Sequence, residues 1–137
     1  MHEDSMNRIE ELLKTPYWII DILPKRVPKD SMGQYFHTAA YFLRHRMEEI
    51  KSRHISLILK LNCYYDIEIQ DKVNPDPEEI DRIMREKYVY IMVGDSMILS
   101  EKDDTHMTVF HPDEELLDLI RTLASSEGLF VWNGAEN

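Results

Sequence analysis

The chain has one cysteine, Cys63, so no disulfide can close within it. That thiol lies in an apolar helical pattern with only Lys60 as a basic neighbour, which predicts a small buried core residue rather than an activated nucleophile. Glycine is scarce, with 4 in 137 residues, and it builds no phosphate-cradling loop, dinucleotide fingerprint or GxSxG elbow. Metal-ligand motifs are missing as well: there is no HExxH or CxxC, and His37, His45 and His54 lie too far apart along a helix to share one ion. No metal or cofactor is therefore expected. Apolar runs are short, none reaching the roughly 20 residues that span a bilayer. The opening stretch MHEDSMNRIEEL lacks the basic region and apolar core of an export signal. The expected setting is the cytoplasm, with no membrane attachment.

Basic charge is in the minority, 16 Lys and Arg against 26 Asp and Glu, for a net charge of −10. Such a field repels a nucleic-acid backbone and anionic lipid, so nucleic acid is a disfavoured partner and another protein the expected one.

What the chain does have is globular: 43% hydrophobic and 31% charged residues. Its length suits one core. The expected architecture is a single α+β domain over 1–137, with a mostly antiparallel five- or six-stranded sheet and packed helices. Ser5 to Lys14 predicts a first helix, stopped by Thr15-Pro16. Trp18 to Leu23 predicts a strand apolar on both faces except at Asp21. From Gln34 to Tyr64, Phe36, Ala40, Leu43, Met47, Ile50, His54, Leu57 and Leu61 recur at helical spacing, which predicts one core-facing stripe. Two helices broken near Arg44–Arg46 suit a compact domain better than one long rod. Asp66 to Gln70 alternates as a strand, and Asp76-Pro77 with Glu79 marks a helix entry. Tyr88–Val93 and Met97–Leu99 flank Gly94-Asp95 as a hairpin, Met107–Phe110 and Leu129–Trp132 predict strands, and Pro112 opens a helix between those two.

The candidate site gathers on the loop from Pro24 to Gln34. Lys25, Arg26 and Lys29 there could hold a phosphate or an acidic partner segment, joined by Arg44, His45 and Arg46 if the fold converges them. Tyr35 supplies an aromatic anchor beside them. Asp21 is a carboxylate in an apolar strand, open to a role as base or ligand, and otherwise held by backbone amides. His54, in the apolar seam, predicts a satisfied core histidine. Asp103 and Asp104 form a polar turn unless a third carboxylate joins them.

With no catalytic signature present, the favoured function is a non-catalytic binding module, for example an acidic inhibitor-like partner of a basic protein. The rival is a hydrolase or metal-dependent enzyme using Asp21 with a histidine. A concave pocket holding Asp21 and a second titratable group supports the rival; a flat surface supports binding.

Overall fold

The computed structural model describes residues 3–135. Its centre is a seven-stranded antiparallel sheet in the order β3-β2-β4-β5-β6-β1-β7. The strands are β1 (Tyr17–Asp21), β2 (Glu68–Ile69), β3 (Lys72–Val73), β4 (Val89–Val93), β5 (Ser96–Ser100), β6 (Met107–Phe110) and β7 (Phe130–Asn133). The helices are α1 (Glu3–Leu12), α2 (Tyr35–His45), α3 (Met47–Asn62), α4 (Pro77–Glu86) and α5 (Glu114–Ser126). The α+β class and antiparallel pairing match expectation, and the sheet has more strands than the five or six predicted. The surplus is β3, which pairs back onto β2 through a turn whose residues Gln70 and Asp71 hold φ of 52° and 65°. Gln-Asp is not a turn pair that announces left-handed backbone, so the expected strand ends at Gln70 and the short β3 after it is not foreseen.

Strand alternation sorts the side chains into two layers. Ile20, Ile91, Ile98, Met107 and Val109 point to one face, where α3, α4 and α5 pack Leu57, Ile58, Leu61, Ile80, Met84 and Ile120 onto them. Met97 and Phe110 point to the other face, half of which is covered by Ile9 and Leu12 of α1. Past the edge of that cluster, which Phe110 and Tyr17 join, no helix of the described residues covers this face toward β1 and β7. The chain leaving β1 passes across it instead.

Helix entries follow the residue chemistry. Asp76 accepts a hydrogen bond from the Glu79 amide at 2.9 Å with Pro77 opening α4, and Asp113 accepts from the Leu116 amide at 2.8 Å at the start of α5. Gly94 takes φ 58° in the two-residue turn between Val93 and Ser96. The long helical pattern does break, at Arg46 (φ −127°, ψ 6°), between α2 and α3.

The break overturns the expectation of one core-facing stripe. In α3, Ile50, His54, Leu57 and Leu61 are buried, whereas α2 buries no residue at all. Phe36 is 82% exposed and Leu43 42%. The bend at Arg46 turns α2 away from the sheet, so the first half of the stripe has nothing to meet. Cys63 is a second correction. It lies at the end of α3, exposed, where its Sγ faces the Leu59 carbonyl at 3.6 Å.

Candidate functional site

The uncovered part of the sheet forms the floor of a groove of about 1110 Å³, and the segment from Leu23 to Asp30 forms its wall and rim. Floor residues follow from register. Tyr17 pairs with Phe110, Ile19 with Thr108 on one side and Trp132 on the other, so all five face the same way. Ile20 pairs with Met107, which sets Asp21 opposite His106 where the ladder ends. Both line the groove.

The rim is tied to the floor at one point. Arg26 lies over the Trp132 ring, 5.3 Å from its centroid, and donates to the Gly134 carbonyl. The Trp132 Nε1–H donates to the Leu23 carbonyl at 3.2 Å. Gly134 cannot carry a side chain here, because a Cβ would sit 2.0 Å from the Tyr17 ring. Lys25 and Lys29 are exposed and line the same groove, as does Tyr35 at 43% exposure. Thus all five residues singled out in the sequence, Asp21, Lys25, Arg26, Lys29 and Tyr35, border one concavity. The second basic cluster does not join them. Arg46 faces Glu49 at 3.8 Å beside a separate cleft, and neither Arg44 nor His45 lines the groove.

Asp21 is half-buried, and its Oδ1 accepts from the Ile22 amide at 2.7 Å. Burial pushes its carboxyl above the usual range, opposed by that amide and by His106. His106 Nδ1 lies 2.8 Å from Asp104 Oδ1, which also accepts from the His106 amide at 3.4 Å. Asp104 raises the imidazole pKa against the effect of burial, while the Asp104 carboxyl is held down at about 2. With Nδ1 committed to Asp104, the other ring nitrogen remains for a ligand.

Behind this pair the Glu101–Thr105 connection wraps the end of the sheet and joins its two faces. Lys51, 3% exposed on the helix side, donates to the Glu101 carbonyl at 2.7 Å and to Ser100 Oγ at 3.4 Å. Burial lowers its pKa to about 8. Glu101 is raised because its carboxyl shares a hydrogen bond with Asp104. His54 is fully buried next to this connection, but it is not satisfied: neither ring nitrogen has a hydrogen-bond partner. Thr105's carbonyl acts on it from a geometry short of a hydrogen bond, and burial lowers its pKa to about 3.

Asp104 therefore has the Glu101 carboxyl beside it, whereas Asp21 feels Asp104 only through charge. Sequence reasoning missed Lys51, Glu101, Asp104 and His106 as a group because the β1–β6 register brings His106 to Asp21, while the packing of α3 brings Lys51 to the Glu101 carbonyl. Among the described residues, no three His, Cys, Asp or Glu side chains assemble into a possible metal-holding set, and no helix is long and apolar enough to cross a membrane. Comparison with protein-family models, curated proteins and solved structures finds no match to this chain.

Proposed function

We propose that this protein is a binding module whose groove receives an acidic segment of another protein. The observation that carries the proposal is the groove's rim. Lys25 and Lys29 stand exposed over a floor of Tyr17 and Trp132, with Phe110 buried at its edge, in a chain whose overall charge is −10. An aromatic floor with cations around it is what desolvated anchors and charged neighbours require. His106 supports the same reading. Its raised pKa favours the protonated form, which donates to an acceptor rather than taking up a proton.

The test is charge reversal of Lys25 and Lys29 to Glu, with partner capture from a native lysate compared at low and high salt. Arg26 is left intact because its contacts with Trp132 and Gly134 hold the loop in place. Reversal is expected to abolish capture of the wild type's salt-sensitive partners at unchanged melting temperature. Identical partner sets for both proteins would remove the rim from consideration.

A second reading, the enzyme that a concave pocket holding Asp21 and another titratable group supports over binding, is favoured by one specific observation. The groove is concave and sets Asp21 beside the Asp104–His106 pair, the arrangement acid–base chemistry uses. In that reading His106 acts as general acid with Asp104 orienting it. Hydrolysis of ester or phosphoester probes that disappears in His106→Gln, with binding retained, would favour it over pure binding.

A further inference from the structure

We propose that α2 is the second half of the same interface, and that the partner segment seated on it is an acidic amphipathic helix. The inference rests on the groove reading above and extends it across Tyr35, which belongs to both surfaces. Phe42 and Ala39 are the inward, half-buried side of α2, beside Ile22 and Leu23. Phe36, Ala40 and Leu43, spaced i, i+4 and i+7, form a different stripe and are exposed, with Met32 just before them at 99%. Apolar residues at that spacing are the seam by which one helix packs on another, and here the seam stands exposed among the described residues.

Charge selects the occupant. Residues 24–47 hold five basic residues against Asp30 alone, so this stretch is +4 and the rest of the chain is −14. No acidic residue occurs between Ser31 and Met47. A second copy meeting α2 face to face would set cations against cations, whereas an acidic helix meets the seam with its apolar side and Arg44 and the rim lysines with its carboxylates. A nucleic acid would satisfy the cations and leave Phe36 and Leu43 in water.

The experiment uses the full chain and three fluorescent probes. These are a synthetic helix with leucine at i, i+3, i+4 and i+7 and glutamate elsewhere, its scrambled isomer, and a single-stranded oligonucleotide. Anisotropy is read at low and high salt for wild type, for Phe36→Ser with Leu43→Ser, and for Lys25→Glu with Lys29→Glu. Wild type is expected to bind the amphipathic helix over the scrambled isomer and the oligonucleotide, and each double variant is expected to lose about ten-fold or more. All four positions are exposed, and melting curves superimposable on wild type's confirm that the variants fold. If the Phe36/Leu43 variant binds as wild type does while the lysine variant fails, α2 is no part of the interface and the groove reading stands. If only the Phe36/Leu43 variant fails, the groove reading falls and α2 binds alone. Equal binding of the scrambled peptide, preference for the oligonucleotide, or no binding of the helix overturns the inference.

Discussion

His54 sits fully buried in α3 without a hydrogen-bond partner, a costly position for a polar ring. The linkage sign follows directly. Unfolded, the ring takes a proton near 6.5; folded, it refuses one until about 3. Between those values the unfolded chain binds more protons, so His54 makes stability fall as pH drops through that window. His54→Leu removes the term and the unsatisfied ring, and is expected to stabilise the protein by about 1–3 kcal/mol, more at acid pH than at neutral pH. Thermal melts across that range check this, and equal effects at both ends would refute the linkage. Asp104, depressed to about 2, acts in the same direction, its contribution being present above 3.8 and lost as pH falls toward 2. His106 has the opposite sign: its raised pKa contributes stability fully below 6.5 that is lost as pH rises through the folded value. His106→Gln is expected to flatten the neutral-to-alkaline limb of the pH–stability curve. Asp76→Ala is expected to cost about 0.5–2 kcal/mol through the lost cap on α4, with any binding at the groove unchanged.

Elements were legible where chemistry is local. The Asp76-Pro77 helix entry and the Gly94-Asp95 hairpin follow from neighbours within a few residues, whereas the helix break near Arg46 was expected only from the length a compact domain allows. Non-local choices were not legible. Periodicity told that Phe36, Ala40 and Leu43 share a face, but not that the bend at Arg46 would swing that face into solvent. Cys63 escaped burial for a similar reason, since α3 ends beside it. The site was half legible. Lys25, Arg26, Lys29 and Tyr35 are clustered in sequence, but the Asp21–His106 pairing spans the chain and needed the register. The two helices therefore make opposite predictions. Phe36→Ser on α2 is expected to change stability by no more than about 0.5 kcal/mol. Ile58→Ala in α3, where the side chain is fully buried, is expected to cost about 2–5 kcal/mol. Urea unfolding of the two variants distinguishes the solvent-facing helix from the core helix.

On the scale of the whole molecule, charge and shape are segregated together. Three helices seal one face of the sheet, and the other face is left partly open under a loop that carries cations in a chain of net charge −10. In the proposed binding reading, an acidic body with lysines on the rim of this groove would steer acidic partners there and repel them elsewhere. The most direct measurement is an amide and indole NMR titration of the isotope-labelled protein with a short synthetic oligoglutamate peptide at low salt. The groove reading predicts shifts concentrated at Lys25, Lys29, Thr108, His106 and the Trp132 indole, with Trp18 on the helix-covered face unmoved, and their loss in the Lys25→Glu, Lys29→Glu variant. Shifts scattered over other surfaces, or a groove whose signals stay still while the peptide binds, would contradict it.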